Sequence, residues 1–249
     1  NMELTSAYAS IANGGTYQKP VLYTKVVDHN GNILLSNTQK GKRVMKESTA
    51  FLLTDAMKDV ITKGTGKSAK LSSSMAVAGK SGTTSNSYDY WFSGYTPYHT
   101  ASVWMGYDKN TNFASDNTHK KIWAKVMNEI IKTKQEQTTD FKKPADIVKA
   151  KVCKESGKLA IKGVCDHDPR GSRVITEYFE KGTVPTQTCD IHVAVEVCKT
   201  SDKLATKNCP ANKKQRKIYI VRKKGSHGKT ADTPYMLPKK YQSVFCKKH

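Results

Sequence analysis

The run Lys80-Ser81-Gly82-Thr83-Thr84 constrains this chain more than any other stretch. It follows the small apolar run Met75-Ala76-Val77-Ala78-Gly79. It precedes Tyr88-Asp89-Tyr90-Trp91-Phe92-Ser93-Gly94-Tyr95-Thr96-Pro97, which reads as a strand ending in a tight turn. Short runs rich in aromatic and β-branched residues, bounded by turn residues, favour strands. Residues 76–83, 88–95 and 100–107 are therefore expected as three consecutive antiparallel strands. A lysine, three hydroxyls and a glycine then lie in or beside one strand of that sheet.

Helical periodicity surrounds these strands. Residues 4–13 carry an apolar stripe at Leu4, Ala7, Tyr8 and Ile11, the spacing of one helix face. Gly14-Gly15 ends it, since glycine accepts the positive φ of a helix C-terminus. Residues 21–27 and 33–35 read as a hairpin turned at Asp28-His29-Asn30-Gly31. Ser48 is expected to cap a helix over 50–62, which Gly64 and Gly66 break. Residues 120–132 read as an amphipathic helix with Ile122, Trp123, Val126, Met127 and Ile130 inward.

The first half is rich in Val, Ala, Ile, Trp and Tyr, whereas the second is poorer in apolar residues and holds all six cysteines. That shift predicts two units: 1–138, a polar linker at 139–150, and a basic cysteine-containing module at 151–249. No run of eighteen apolar residues occurs, the length a membrane helix needs. No signal peptide opens the chain, and Asn1 is not an initiator methionine, so the start reads as a cut within a longer protein. Against 21 acidic residues stand 42 Lys and Arg, a net charge of +21. A field of that sign favours polyanions. No helix-turn-helix, zinc-finger or RNA-binding signature accompanies it, so nucleic acid is not an expected partner.

The cysteines show an internal repeat. Cys153-Lys154-Glu155-Ser156-Gly157-Lys158-Leu159-Ala160 leads to Cys165, and Cys198-Lys199-Thr200-Ser201-Asp202-Lys203-Leu204-Ala205 leads to Cys209. Each copy is expected to form a small hairpin. Six cysteines allow fifteen full pairings. The repeat favours disulfides Cys153–Cys165 and Cys198–Cys209, each closure contributing roughly 3 kcal/mol, which leaves Cys189 and Cys246 as a third pair. The rival is zinc: Cys189-Asp190-Ile191-His192 brings a thiolate and an imidazole close, and Cys165-Asp166-His167-Asp168 resembles it. The spacing is not that of a known finger, and no Cys-x-x-Cys occurs. Cys189 and His192 are the metal candidates on this reading, and free thiols are the third alternative. The tail at 213–249 has an expected strand at 217–222 and a single acidic residue, Asp232.

Across about half the chain, an ordered set of motifs resembles the distal half of the transpeptidase domain of class A penicillin-binding proteins. The set begins with Glu3-Leu4-Thr5-Ser6-Ala7-Tyr8-Ala9, Asn13-Gly14-Gly15 and the turn Asp59-Val60-Ile61-Thr62-Lys63-Gly64-Thr65-Gly66. It continues through Gly79-Lys80-Ser81-Gly82-Thr83-Thr84, Asp89-Tyr90-Trp91-Phe92-Ser93-Gly94-Tyr95-Thr96-Pro97 and Val103-Trp104-Met105-Gly106-Tyr107-Asp108. Lys-Ser/Thr-Gly-Thr in a strand is one of three motifs of the penicillin-interacting serine enzymes. The other two, Ser-x-x-Lys and Ser-x-Asn, ordinarily precede it, and this chain begins too late to hold them. The cysteine-bearing tail resembles extensions of clostridial members, less specifically.

The resemblance implies an α/β (α+β) fold: an antiparallel sheet flanked by helices, followed by a small β-rich module. It implies a serine-type D-Ala-D-Ala transpeptidase that cross-links peptidoglycan stem peptides through an acyl-serine and is acylated by beta-lactams. The nucleophile would lie on an upstream fragment that carries Ser-x-x-Lys and Ser-x-Asn. The intact protein is expected to be extracytoplasmic, membrane-anchored, and also a peptidoglycan glycosyltransferase. No cofactor is required for transpeptidation. Lys80 would supply charge and aid proton shuttling, and Thr83 would offer its backbone N–H to the oxyanion. Ser81 and Thr83 hydroxyls would meet the substrate carboxylate, and Gly82 would admit the substrate backbone. Thr84 would support the strand beside the substrate. The basic tail would suit anionic wall polymer or lipid headgroups.

Two decoys share the motif spacing. Ser226-His227-Gly228-Lys229 fits Ser-x-x-Lys, but that motif needs a helix to align its two ends, and Gly228 and the turn-rich surroundings oppose one. Ser115-Asp116-Asn117 fits Ser-x-Asn but follows the Lys-Ser-Gly strand, and reads as loop and N-cap chemistry. Trp91, Phe92 and Trp104 are expected in the core. The rivals are a non-catalytic wall-binding protein on the same scaffold, and a beta-lactamase, whose deacylating apparatus the chain does not show.

Overall fold

A computed structural model describes residues 1–38, 40–222 and 230–248. The chain divides into two units, Asn1–Ile147 and Val148–His249.

In the first unit, α1 (Met2–Ala12) ends at Asn13, followed by Gly14 and Gly15 at φ +77° and +96°. β1 (Thr16–Tyr17) pairs with β4 (Lys42–Arg43). Between them β2 (Lys25–Val27) and β3 (Ile33–Ser36) form the expected hairpin. Its turn is held by the Asp28 carboxylate, which accepts the backbone N–H groups of Asn30 and Asn32 at 2.9 and 2.8 Å. α2 (Glu47–Thr62) starts after Lys46 rather than at Ser48. Ser48 does not cap it; it lies inside the first turn, where its hydroxyl is buried without a partner.

β5 (Ala78–Thr83), β6 (Asp89–Tyr95) and β7 (Thr100–Gly106) form an antiparallel sheet in the order β5-β6-β7. Alternation along β6 sends Phe92 to one face and Tyr95 to the other. Phe92 packs with Ile61, Leu71, Val77, Trp123 and Met127, and Tyr95 with Met57, Ala78, Tyr8 and Ile11. α3 (Thr118–Lys134) buries Trp123, Ala124 and Met127. Ile122 and Val126, expected inward, are 45% and 47% exposed. The buried face of α3 carries His119, Lys120, Trp123, Ala124 and Met127, and Ile122 and Val126 fall outside it. Trp104 likewise stands on the surface at 40% exposure, its indole N–H donating to Asp89 Oδ1 at 2.9 Å. Trp91 is half-buried, and Phe92 alone of the three expected core aromatics is fully enclosed.

Part of the expected linker packs onto the first unit. Ala76 N–H donates to Thr139 O at 3.1 Å, Asp140 pairs with Lys58 at 2.7 Å, and the Phe141 ring meets Tyr95 edge-on at 5.4 Å.

β8 (Ile147–Cys153), whose first residue ends the first unit, pairs with β9 (Val174–Glu180) of the second. β10 (His192–Cys198) lies between β11 (Lys203–Leu204) and β12 (Lys214–Ile220), antiparallel to both. β12 begins before the expected residue 217. α4 (Lys240–Ser243) closes the described chain. Sulfur takes the place that large aliphatic residues hold elsewhere: Cys153, Cys165 and Cys189 form one buried cluster, and Cys198, Cys209 and Cys246 another. No helix among the described residues is long and apolar enough to cross a membrane.

Candidate functional site

Strand β5 presents the Lys-Ser-Gly-Thr run at the edge of its sheet. Its phase is set at the hairpin, where Thr84 N–H donates to Asp89 O at 3.1 Å. The register runs Gly82↔Trp91 and Lys80↔Ser93. Antiparallel pairs alternate between bonded and non-bonded. Residues 80, 82 and 84 therefore bond to β6, and the N–H and C=O of Gly79, Ser81 and Thr83 point away from it. The Thr83 N–H thus lies on the open edge. So does the Ser81 carbonyl, which accepts Lys80 Nζ at 2.8 Å.

Side chains around this edge line a groove of about 350 Å³, formed by Leu4 and Tyr8 of α1, Lys80, Gly82 and Thr83, with Trp91 and Ser93 behind. Gly82 keeps it open: a Cβ there would lie 3.4 Å from Trp91 Cβ, in ordinary contact. Ser81 Oγ is 2.9 Å from Thr65 Oγ1, so the Gly64-Thr65-Gly66 turn after α2 reaches the strand. The Thr84 hydroxyl donates to Asp89 Oδ2 at 3.0 Å and accepts Asp89 N–H at 2.9 Å. Thr84 therefore locks the turn that ends β5.

Lys120, which sequence reasoning passed over, is buried on α3, with Nζ donating to Asn117 Oδ1 at 2.8 Å. Burial first, and then the charge of Lys80, hold its ammonium below the usual lysine range. Asn117 precedes α3 with φ +69° and makes no capping bond with its side chain, so the expected N-cap chemistry at 115–117 is replaced by this contact to Lys120. Ser115 Oγ instead accepts Asn117 N–H at 3.2 Å and lies 3.2 Å from His119 Nδ1. Ser226 and Lys229 lie outside the described residues.

The cysteines differ from the favoured expectation. All six are buried free thiols, so neither Cys153–Cys165 nor Cys198–Cys209 is a disulfide in this structure. Cys189 and Cys246 belong to different clusters and do not meet. The reason is that each repeat brings a third sulfur from far along the chain. Cys189 N–H donates to Leu159 O and Cys246 N–H to Leu204 O, both at 2.8 Å. The sulfurs of Cys153, Cys165 and Cys189 surround His192 Nδ1, while His192 Nε2 bonds Asp168 Oδ2 at 2.7 Å. His167, the second imidazole of the expected pair of motifs, is exposed and turned to Asp166 at 3.2 Å. One sequence signal marks the grouping: Cys189-x-x-His192 recurs in Cys246-Lys247-Lys248-His249, although His249 lies outside the described residues. Asp168 carries no such signal.

A lysine, glycine and hydroxyls on the edge of an antiparallel sheet flanked by helices are the strand arrangement of the penicillin-binding transpeptidase class of domain. Residues 1–132 match the family model of the penicillin-binding protein transpeptidase domain, and residues 143–194 match that of the penicillin-binding protein 1A C-terminal domain. The chain belongs to the penicillin-binding protein transpeptidase family. It is 36% identical over 241 residues to penicillin-binding protein 1A of Clostridium botulinum, covering 94% of this chain and 28% of that protein. To penicillin-binding protein 2D of Bacillus subtilis it is 33% identical over 224 residues, 86% of this chain and 30% of the other. The fold is similar to penicillin-binding protein 1A of Haemophilus influenzae, with TM-score 0.59 at 23% identity over 75% of this chain and 32% of that one. The chain thus spans under a third of the length of the curated relatives it matches.

Proposed function

We propose that this chain supplies the substrate-binding strand of a peptidoglycan D,D-transpeptidase, and that the longer protein links stem peptides through an acyl-serine. The observation that carries the reading is the outward phase of Ser81 and Thr83 on β5, next to the open groove. An extended peptide ending in D-Ala-D-Ala, or a beta-lactam in its place, would lie along that edge and pair with it through main-chain hydrogen bonds. The Thr83 N–H would donate to the oxyanion as the tetrahedral intermediate forms, with a second donor at the nucleophile's own N–H. Removing one such donor costs about 3 kcal/mol of transition-state stabilisation.

Lys80 would place positive charge beside the substrate carboxylate, and the Ser81 and Thr83 hydroxyls would donate to that carboxylate. Gly82 would let the substrate backbone approach, and Thr84 would hold the strand end through Asp89. The chain's one Ser-x-x-Lys match is Ser226–Lys229. The nucleophile, its lysine, the Ser-x-Asn serine, the glycosyltransferase activity and the membrane anchor are proposed for the remaining length of the protein, which acts outside the cytoplasm. The basic surface would favour anionic wall polymer or anionic headgroups there.

Labelling with fluorescent penicillin tests the reading, on the longer protein and on its Lys80→Ala variant. Rapid labelling of the parent, mapped to a serine outside this chain, and slow labelling of the variant support it. Equal labelling of both, or a label on this chain alone, overturns it.

A further inference from the structure

The second unit contains four buried donor atoms that transpeptidation does not use. Cys153 Sγ, Cys165 Sγ, Cys189 Sγ and a ring nitrogen of His192 all lie within 4.8 Å of one another. His192 Nδ1 is 3.4 Å from Cys153 Sγ and 3.3 Å from Cys189 Sγ. A tetrahedral zinc with Zn–S about 2.3 Å and Zn–N about 2.0 Å sets its sulfur and nitrogen ligands roughly 3.5 Å apart. The observed separations are those of such a shell, and no pair of these sulfurs is joined as a disulfide.

The surroundings are built to present the imidazole to an ion. Asp168 is buried and accepts a hydrogen bond from His192 Nε2–H at 2.7 Å, the tautomer in which the Nδ1 lone pair faces the sulfurs. A carboxylate behind a ligating histidine fixes its tautomer and ring orientation. Asp168 is itself held by Arg170, through the backbone N–H at 2.7 Å, Nε at 2.9 Å and Nη2 at 2.7 Å. Ile161 N–H points at Cys165 Sγ at 3.3 Å, a donor suited to a thiolate.

We infer that Cys153, Cys165, Cys189 and His192 bind a structural Zn²⁺, and that the repeated cluster Cys198, Cys209 and Cys246 binds a second. Three thiols and one imidazole form a borderline-soft tetrahedral set that suits zinc. On binding at the first site each thiol releases its proton to solvent, and the neutral imidazole binds without releasing one. Four protein donors leave no open position for water or substrate, which makes the site structural rather than catalytic.

Three backbone N–H bonds around the second cluster repeat those around the first. Gly157 N–H to Cys153 O has its counterpart in Asp202 N–H to Cys198 O, each at 2.8 Å. Ala160 N–H to Lys151 O matches Ala205 N–H to Glu196 O. Ile161 N–H to Cys165 Sγ matches Thr206 N–H to Cys209 Sγ, each at 3.3 Å. Strand β10 begins at His192 and ends at Cys198, so the two ions bracket it. A unit with so few large apolar side chains gains in metal coordination what its core lacks, and for structural zinc sites binding free energy is folding free energy.

The test is metal content by mass spectrometry on the 249-residue chain, purified without chelator, followed by exchange of zinc for cobalt. Two equivalents of zinc are expected, together with the visible absorption of tetrahedral cobalt–thiolate sites. His192→Ala is expected to lose one equivalent. His192→Cys keeps both equivalents and shifts the cobalt spectrum of one site, a change that loss of packing alone would not cause. Absence of bound zinc and of a cobalt spectrum overturns the inference. So does non-reducing peptide mapping that finds Cys153 joined to Cys165 in freshly isolated protein.

Discussion

The backbone N–H of Thr84 donates to the carbonyl of Asp89 at 3.1 Å, and this one bond fixes which atoms of β5 face the sheet and which face outward. A shift of one residue would bury the Thr83 N–H in the ladder and expose that of Gly82. The turn is doubly secured, because the Thr84 hydroxyl also bonds Asp89. The outward phase of β5 therefore depends on a hairpin outside the groove.

The two glycines of β5 should separate folding from function. A Cβ on Gly79 would lie 2.8 Å from Ser93 O and 2.9 Å from Gly94 Cα, backbone atoms that cannot give way. Gly79→Ala is expected to destabilise the protein by about 1–3 kcal/mol, the cost of overpacking. Gly82→Ala meets only ordinary contact and should leave the melting temperature unchanged, while slowing penicillin acylation by roughly tenfold or more, the scale of a misfit of one methylene. Thermal melts and acylation rates of both variants check the contrast, and it fails if Gly82→Ala acylates at the parent rate.

Alkaline pH should weaken the first unit through Tyr95. Burial raises its phenol above the usual range, and the 2.8 Å hydrogen bond with Thr54 acts the other way without offsetting it. The folded state thus holds this proton more tightly than the unfolded chain, whose tyrosines titrate near about 10. Tyr95 contributes its stability in full below that pH, and the contribution is lost as pH rises through the folded value. Tyr95→Phe should cost about 1 kcal/mol at neutral pH and flatten the alkaline decline. Denaturant melts from neutral to strongly alkaline pH would show it, and an unchanged slope would contradict it.

Asp168 should act on the metal without touching it. Asp168→Asn keeps the shape but removes the charge behind His192, and is expected to lower zinc affinity by about 10- to 100-fold. Competition with a chromogenic chelator measures the change. Equal affinity in parent and variant would leave Asp168 as a partner of Arg170 only.

A third class of charge effect should appear in binding. With net charge +21, retention on anionic wall polymer should fall steeply as salt screens exposed charges beyond about 10 Å at 0.1 M. Co-sedimentation across a salt series reads this directly, and salt-independent retention would rule out an electrostatic origin.

The strands were legible because aromatic and β-branched runs alternate between strong turn residues, and β5, β6 and β7 fall within two residues of their expected ends. The family's motifs carried the site strand in the same way, because Lys80–Thr84 is contiguous. Burial was less legible. Ile122 and Val126 satisfy helical periodicity, yet their side of α3 faces solvent, and periodicity does not say how wide a buried stripe is. Ser48 has the chemistry of a cap but lies two residues past the cap position, inside the first turn. The sulfur clusters were hidden for a different reason. Near neighbours such as Cys153 and Cys165 suggest pairs, while Cys189 joins them only through its backbone bond to Leu159, a contact between segments distant in sequence.

The most direct test of the central claim removes one backbone donor. Thr83 N–H makes no bond to β6, so Thr83→Pro deletes the outward donor while leaving the ladder intact, as proline at a sheet edge permits. Thr83→Ala keeps the donor and removes the hydroxyl. The second-order rate of penicillin acylation, measured on the longer protein with each variant, is expected to fall by about 100-fold or more in Thr83→Pro and by less in Thr83→Ala. Acylation of a folded Thr83→Pro variant at the parent rate would contradict the account.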